Sequence, residues 1–243
     1  MDTKFWGPSG WKLLHSITFK FPSRPTRHAK DMAFELFDSL KYVLPCRFCR
    51  ESYKQFLGKD PIQYTSREKL SQWLYRIHNY VNNKLRHQGY LQTPNPTFEQ
   101  VKKEYQSIPF PQQFVGWDFL FSIAMNYPEK PNLSHQKPIS SFDKYQHRRF
   151  LQSVLYFSKL QCCTGNISPS VFQCRENMIQ FLYSIFLTRY GNTFQCLSYD
   201  QICSHIRQFQ SSSCKKKNSN TCRAPKKKVY SYIDDVFSKH ATM

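Results

Sequence analysis

The spacing of apolar residues along helical faces constrains the fold of this chain more than any other feature. Between residues 66 and 85, apolar side chains recur with the 3.6-residue period of an α-helix: Leu70, Trp73, Leu74, Ile77, Val81 and Leu85. The same period marks eight further segments, at residues 5–20, 29–43, 46–57, 97–105, 114–126, 143–161, 169–190 and 198–208. No stretch longer than about four residues alternates like a half-buried strand. The sequence therefore predicts an all-α protein.

A proline-containing stretch divides the chain into two predicted domains. Residues 127–139 contain three prolines together with Asn and Ser, which is typical of a linker. We expect a helical domain at residues 1–126 and a second, small, mainly helical domain at residues 140–243. Within the second domain, residues 211–228 carry seven Lys/Arg and no acidic residue, so they are predicted to form a solvated basic loop.

Composition makes the cysteines informative. Aromatic residues make up 16% of the 243 residues, which excludes a mainly disordered chain. No apolar run reaches the ~18 residues that span a bilayer, and the first residues lack the apolar region of a secretory signal. We therefore expect a cytosol-like compartment, where cysteines are more often catalytic or metal-binding than paired in structural disulfides. There are nine cysteines, an odd number, so at least one is unpaired within the chain.

The pair Cys46-Arg47-Phe48-Cys49 has three interpretations: half of a zinc site, two structural thiols, or a redox dithiol. Zinc needs four ligands, and no second C-x-x-C occurs, so we expect no metal. Pro45 precedes a predicted helix whose first turn holds Cys46, where backbone N–H groups and the nearby Arg47 and Arg50 favour a thiolate. Because the surroundings are helical and not of the thioredoxin type, a redox dithiol here needs a further electron acceptor.

Two helical faces combine polar and apolar side chains. Trp11 and His15 are four residues apart and share one face. On another helix the same is true of residues at i, i+3, i+4 and i+7, namely His78, Val81, Asn82 and Leu85. Buried His and Asn need hydrogen-bond partners. These faces therefore indicate either a ligand with apolar surfaces and polar edges or satisfied core histidines.

Three motifs resemble those of the Erv/ALR family of FAD-linked sulfhydryl oxidases. Residues 6–15, Trp-Gly-Pro-Ser-Gly-Trp-Lys-Leu-Leu-His, are similar to the family's opening motif, and residues 78–85, His-Asn-Tyr-Val-Asn-Asn-Lys-Leu, to its second motif. The C-x-x-C pair lies between them, as in the family. The resemblance covers residues 5–105, and the chain looks most like the members found in giant nucleocytoplasmic large DNA viruses, of the mimivirus type.

The resemblance implies a four-helix bundle with a short fifth helix that holds FAD, and a homodimer. It implies that Cys46 and Cys49 are catalytic: Cys46 exchanges with dithiol client proteins, and Cys49 lies nearer the flavin. Electrons then pass to FAD and on to O2, giving H2O2. The FAD contacts that the resemblance implies are Gly7, Gly10, Trp11, His15, His78, Asn79, Val81, Asn82, Lys84 and Leu85.

The chain departs from the family pattern at two places. Pro8 stands where the family often has Arg, and Tyr75 and Gln100 stand where many members carry a structural disulfide. Family members usually own a second, shuttle disulfide, for which Cys214 and Cys222 in the basic loop are the best candidates. A structural disulfide and free thiols remain as alternatives, as do other cysteines: Cys162, Cys163, Cys174, Cys196 and Cys203.

The formal charge of +19 supports a competing interpretation. Basic patches with aromatic residues can bind single-stranded nucleic acid, although no nucleic-acid-binding module is visible. A basic nucleic-acid-binding protein, or a scaffold protein with structural cysteines, is therefore the alternative function. The charge equally suits docking to acidic clients.

We expect the protein in the host cytoplasm, at the viral factory, or in the virion, without a membrane segment.

Overall fold

The structure, a computed structural model, describes residues 3–129, 139–160, 167–191 and 198–207. These residues form helices and connecting loops and contain no strand, so the predicted all-α class is confirmed. The helices are α1 (Thr3–Lys20), α2 (Arg27–Val43), α3 (Arg47–Lys59), α4 (Arg67–His87), α5 (Phe98–Ser107), α6 (Trp117–Met125), α7 (Ser141–Ser158), a 3₁₀ turn (Pro169–Phe172), α8 (Arg175–Tyr190) and α9 (Tyr199–Arg207). Several predictions lie outside the described residues: the basic loop at 211–228, most of the linker, and Cys162, Cys163, Cys196, Cys214 and Cys222.

Local capping sets where several helices begin. The hydroxyls of Thr26, Ser66 and Ser140 each accept a hydrogen bond from the backbone N–H three residues later, at α2, α4 and α7. At α5 the Thr97 hydroxyl accepts from the Gln100 N–H, and the Gln100 side chain accepts from the Thr97 N–H.

Hydrogen bonds and a ring contact occupy the place of the disulfide found in many family members. Gln100 closes the capping box of α5, and the Tyr75 hydroxyl donates to the Pro96 carbonyl at 2.8 Å. The Tyr75 ring also packs edge-on against Phe98, with centroids 5.5 Å apart. The end of the α4–α5 connection is therefore tied to α4 without a covalent link.

The helices α1–α4 and the short α5 correspond to the bundle and fifth helix that the family resemblance implies. α1 packs against α4, α5 and α6, while α2 packs against α3 and α7. The apolar face of the first half of α4 is buried, with Leu70, Trp73 and Ile77 at 0% exposure. This packing fixes the ends of α1, α3 and α4 relative to one another.

An ion-pair network joins α7 to α2. The Arg149 guanidinium pairs with Glu35 and, at 3.2 Å, with Asp38, and it donates to the Gln146 side chain at 2.7 Å. These charged groups are largely buried in the contact, which is the most extensive one between any two described helices. One hydrophobic core runs from α1 through α7 to α9. The division into two domains stays a prediction, but the two regions share this core.

Tyr127, the first residue of the predicted linker, is buried; its hydroxyl donates to the Phe172 carbonyl at 2.7 Å, and its carbonyl accepts from Arg175. Most of the linker lies outside the described residues, so it stays a prediction. Two local predictions need correction. The segment expected as one helix at 169–190 is a 3₁₀ turn followed by α8, because the Asn177 side chain donates to the Ser170 carbonyl and closes the turn. Cys46 is the N-cap of α3 rather than part of its first turn.

No helix among the described residues is long and apolar enough to cross a membrane. Nor do those residues bring three or more His, Cys, Asp or Glu side chains together as a metal site would need.

Candidate active site

A cleft of about 640 Å³ opens where the ends of α1, α3 and α4 converge. Its size falls within the range of about 300–1,000 Å³ typical of sites for small molecules and cofactors. Tyr105 of α5 and Phe119 of α6 complete its wall. Both cysteines of the C-x-x-C pair line this cleft, together with eight of the ten residues predicted to contact FAD: Gly7, Gly10, Trp11, His78, Val81, Asn82, Lys84 and Leu85.

The two remaining predicted contacts lie elsewhere. His15 is fully buried behind His78, and Asn79 is half-buried on α4 without lining the cleft. The sequence places Asn79 one residue beyond His78, which rotates it away from the face that carries His78 and Val81. His15 instead reaches the cleft through His78, as described below.

The N-terminus of α3 presents the C-x-x-C pair. Cys46 is the N-cap with an extended backbone, and its side chain makes no capping hydrogen bond. Its carbonyl accepts from the N–H groups of Cys49 and Arg50, each at 3.0 Å, which starts the helix. Cys49 thus lies in the first turn, where the backbone N–H groups that have no helical partner favour negative charge on nearby sulfur.

The two thiols differ in exposure. Cys46 is 1% exposed, whereas Cys49 is half-buried. The family resemblance implied that Cys46 is the solvent-facing member of the pair, so this order is the reverse of the expected one. Both residues open on the cleft, and the exposure of Cys49 includes the surface that faces it. Which thiol lies nearer a bound flavin stays a prediction.

Buried hydrogen bonds hold α3 in place behind the pair. The Arg50 guanidinium donates to the Leu44 carbonyl at 2.5 Å and so fixes the short connection from α2. The buried Tyr53 hydroxyl donates to the Phe37 carbonyl of α2 at 2.8 Å, and burial together with the charge of Asp38 raises the pKa of Tyr53. The helix end that carries the cysteines is therefore anchored to α2 at two points.

An aromatic and imidazole cluster forms the floor of the cleft. The rings of Trp11 and His78 stack with centroids 3.9 Å apart and planes 11° apart. His15 Nε2 lies 3.0 Å from His78 Nδ1, and the Tyr105 ring stacks on the other side of His15 at 4.7 Å. The two sequence motifs, 63 residues apart, thus meet through one hydrogen bond and one stack.

Burial keeps both imidazoles neutral. Desolvation lowers the pKa of His15 well below its usual value of 6.5, and the neighbouring His78 lowers it further. Desolvation also lowers the pKa of His78, to about 4. Burial, with the charge of Glu104, raises the pKa of Tyr105, so that its hydroxyl stays protonated. At neutral pH the floor of the cleft therefore carries no charge.

Positive charge surrounds this neutral floor. Three lysines, Lys4, Lys12 and Lys84, line the cleft against one acidic residue, Glu104. The Lys84 ammonium donates to the Ser52 hydroxyl of α3 at 2.5 Å, which places it beside the helix that carries the cysteines. An anionic group of a ligand would be stabilised here.

Sequence reasoning missed several lining residues. Lys4 and Lys12 lie on one face of α1, each four residues from Pro8, and this spacing could have indicated a basic stripe toward the predicted site. Phe48, Phe56, Tyr105 and Phe119 reach the cleft through tertiary packing, and no local pattern marks them.

Comparison with known proteins connects this arrangement to a family. The model of the Erv1 / Alr family matches residues 8–106, which contain most of the residues that line the cleft. The chain is 39% identical over 79 residues to the FAD-linked sulfhydryl oxidase Erv1 of Arabidopsis thaliana, covering 32% of this chain and 41% of the plant protein. It is 39% identical over 85 residues to a probable FAD-linked sulfhydryl oxidase of Acanthamoeba polyphaga mimivirus, covering 34% of this chain and 59% of the viral one.

Two further matches extend the comparison. An FAD-linked sulfhydryl oxidase of African swine fever virus is 32% identical over 80 residues, which are 33% of this chain and 67% of that protein. A crystal structure of a double Cys-to-Ser mutant of Erv1 from Saccharomyces cerevisiae is similar with a TM-score of 0.40 and 27% identity, covering 44% of this chain and 86% of that one. The chain thus spans about two fifths to three fifths of the plant and mimivirus relatives.

Proposed function

Because the chain belongs to the Erv1/Alr family, we propose that it is an FAD-linked thiol oxidase that forms disulfide bonds in client proteins. Electrons pass from a client dithiol to the Cys46–Cys49 pair, then to FAD, and finally to O2, giving H2O2. The observation that carries this proposal is that Cys46 and Cys49 line the same cleft as the stacked Trp11 and His78.

The residues of the cleft fit FAD. Its half-buried aromatic and apolar side chains suit the two ring systems, and Lys4, Lys12 and Lys84 suit the pyrophosphate. A Cβ added at Gly10 would approach the Phe119 ring to 3.1 Å, so the wall is closely packed there, whereas a Cβ at Gly7 would meet nothing within 4 Å. Trp6 Nε1 is buried without a hydrogen-bond partner in the described structure, as expected of a site completed by a polar ligand.

The chemistry of the chain is thiol–disulfide exchange. A client thiolate attacks one sulfur of the Cys46–Cys49 disulfide, which breaks that bond and forms a mixed disulfide. The second client thiol then displaces the enzyme sulfur. The client leaves as a disulfide, and both enzyme cysteines are reduced by two electrons and two protons. As the family resemblance implies, we assign the exchange with clients to Cys46 and the transfer to the cofactor to Cys49; because Cys46 is 1% exposed, clients would reach it through the cleft that both cysteines line. Bound FAD supplies a two-electron acceptor that O2 can reoxidise.

The position of the pair at the N-terminus of α3 supports this exchange. The thiolate is the reactive form in each step, and the positive end of the helix stabilises it. Arg47 is exposed at the same end of the helix, with its guanidinium over the Phe48 ring, and adds positive charge near the entrance.

The partners and location follow as further proposals. We infer that the clients are dithiol proteins and that the enzyme is a homodimer, as the family resemblance implies. Relatives from mimivirus and African swine fever virus support a viral enzyme that acts in the host cytoplasm, at the viral factory, or in the virion.

Oxygen uptake by the purified full-length chain tests the proposed function. With dithiothreitol as the dithiol, the FAD-containing protein should consume O2 and produce an equal amount of H2O2. Cys49→Ser should lose this activity. Its matched control is Cys174→Ser, which should keep the activity because Cys174 is buried but lies outside the cleft. Absence of uptake by the wild-type chain after FAD is added would overturn the proposal.

A further inference from the structure

His15 is the buried residue that acts on the cleft without lining it. Its Nε2 lies 3.0 Å from Nδ1 of His78, which does line the cleft. We propose that His15 is a positioning residue that donates this hydrogen bond, and thereby keeps the proton of His78 on Nε2 as a donor for an acceptor atom of the bound cofactor. The proposal rests on the proposed function for the identity of that ligand.

Both imidazoles share one hydrogen bond while neutral, so exactly one of the two facing nitrogens carries a proton. A neutral imidazole has one N–H donor and one lone-pair acceptor. His15 is fully buried, and its pKa and that of His78 are both lowered by desolvation. The contact is therefore N–H···N rather than a bond between an imidazolium and an imidazole.

The second nitrogen of His15 decides which residue donates. His15 Nδ1 is buried and has no partner among the described residues. If His15 carried its proton on Nδ1, a buried N–H donor would have no acceptor. If the proton is on Nε2, only a lone pair is left without a partner, which proteins tolerate more often. His15 therefore donates from Nε2, and His78 accepts at Nδ1.

This choice fixes the hydrogen-bonding character of His78. A neutral His78 that accepts at Nδ1 must carry its proton on Nε2. Nε2 makes no hydrogen bond within the described structure, and the side chain is only half-buried at the cleft. The site thus offers an N–H donor at this point, which matches a ring nitrogen, a carbonyl oxygen or a phosphate oxygen of FAD.

Aromatic stacks hold the planes of both rings, and the hydrogen bond selects one of the two flipped orientations of each ring. Trp11 covers one face of His78 at 3.9 Å, and Tyr105 covers His15 at 4.7 Å. A flip of either ring would break the hydrogen bond while the stacks still hold the ring planes. His15 thus passes a constraint from the core to the cofactor site through His78.

The first part of the test determines the tautomers directly in the wild-type protein. Two-bond nitrogen–proton correlations of the imidazole rings, measured on the full chain at neutral pH, distinguish a proton on Nδ1 from one on Nε2. We expect protons on Nε2 of both His15 and His78, with and without FAD. A proton on Nδ1 of His78 would overturn the inference whether or not FAD binds, so this result is independent of the proposed function.

The second part compares two substitutions of similar polarity. The amide of His15→Gln extends to about the position of Nε2, so it can still donate to His78, whereas the amide of His15→Asn ends near Nδ1. We expect His15→Gln to bind FAD within about twofold of wild type and His15→Asn to bind about five- to tenfold more weakly, as for the loss of one net hydrogen bond.

The ring spectra of His78 in the two variants show whether a change in FAD affinity accompanies a change in the His78 tautomer. The Nε2 tautomer of His78 should persist in His15→Gln and become a mixture in His15→Asn, with both variants checked for folding by their thermal transitions. Equal FAD affinity of the two variants would contradict a positioning role. If neither wild type nor variant binds FAD, the proposed function fails while the tautomer measurement still decides the inference.

Discussion

The two halves of α4 have the same apolar period, but the first half lies in the core and the second half lines the cleft. In the first half, Leu70, Trp73 and Ile77 are all at 0% exposure within the core. In the second half, Val81 and Leu85 continue the same stripe but are half-buried and line the cleft. The change occurs at His78, one residue after the last fully buried position. A single amphipathic helix thus completes a protein core along half of its length and leaves the remainder for a ligand.

A helix with an unbroken apolar period can therefore contain part of a cofactor site. Apolar periodicity predicts that one face of a helix is buried, but it does not predict whether other helices or a cofactor bury that face. We propose that FAD takes the place of neighbouring side chains in the second half of the stripe. Because FAD binds the folded state, its binding also stabilises that state by mass action.

The largest effect is expected at the cleft and concerns chemistry rather than folding. Cys49→Ser removes the thiol assigned to electron transfer, so O2 uptake with dithiothreitol should fall at least about a hundredfold. Cys49 is half-buried, and the free energy of unfolding should change by less than about 1 kcal/mol. Parallel oxygen-electrode and denaturation measurements check both statements. A fully active Cys49→Ser would remove Cys49 from the mechanism.

Matched Leu→Ala substitutions compare the two halves of α4 directly. Leu70→Ala creates a cavity in the core and should lower the free energy of unfolding by about 2–5 kcal/mol. Leu85→Ala should cost about 1 kcal/mol or less without FAD and should reduce the thermal stabilisation that FAD provides. Chemical denaturation with and without FAD measures both. Equal losses at the two positions would contradict the division of the helix into a core half and a cofactor half.

The α2–α7 contact offers a second way to separate core from cleft. Arg149→Met leaves the largely buried Glu35 without its cation and Asp38 with Lys41 as its cation, and should lower the free energy of unfolding by about 2 kcal/mol. Since Arg149 lies outside the cleft, the affinity for FAD should stay within about twofold of wild type. Isothermal titration with FAD and denaturation curves check this. A large loss of FAD affinity would show that the region after residue 139 also supports the cofactor site.

Acidification should weaken the fold through the floor of the cleft. The pKa of His78 is about 4 in the folded state and about 6.5 when unfolded, so the unfolded chain binds more protons between these values. Stability is therefore complete above about pH 6.5 and falls as the pH drops toward 4, by about 1.4 kcal/mol per pH unit for one histidine. His15, whose pKa is also lowered, adds to the fall.

His78→Gln provides the control for this pH dependence. The variant lacks the titrating ring, so its FAD-free stability should fall less steeply between pH 6.5 and 4 than that of wild type. Denaturation midpoints and slopes at a series of pH values give the comparison. If wild type and His78→Gln lose the same stability per pH unit, the pKa of His78 in the folded chain is not lowered as its burial implies.

Most of the fold could be predicted because helical periodicity is local. The stripe of α4 and the Thr97 capping box of α5 are written in consecutive residues. The packing of α7 on α2 could not be predicted, because Arg149 and its partners Glu35 and Asp38 are more than a hundred residues apart. The burial of Tyr127 could not be predicted either. The prolines near it indicate a turn, but nothing local indicates that its hydroxyl donates to the Phe172 carbonyl.

The candidate site shows the same limit. The motifs located Trp11, His78 and the cysteine pair, while Tyr105 and Phe119 approach from helices with no motif of their own. The family resemblance also implied that His15 contacts FAD; tertiary packing places it behind His78, so that contact stays a prediction. Cys214 and Cys222 lie outside the described residues, so the shuttle disulfide stays a prediction, as does the alternative role in nucleic-acid binding.

Anaerobic reduction of the purified protein, followed by visible absorption, shows whether the cysteine pair passes electrons to FAD in this cleft. We predict a yellow protein whose oxidised-flavin band bleaches on addition of dithiothreitol and returns on admission of air. Cys49→Ser should keep the flavin band and fail to bleach at the wild-type rate. A chain that stays colourless after addition of FAD, or a Cys49→Ser variant that bleaches as fast as wild type, would contradict the assignment of this cleft as the place where the cysteine pair passes electrons to FAD.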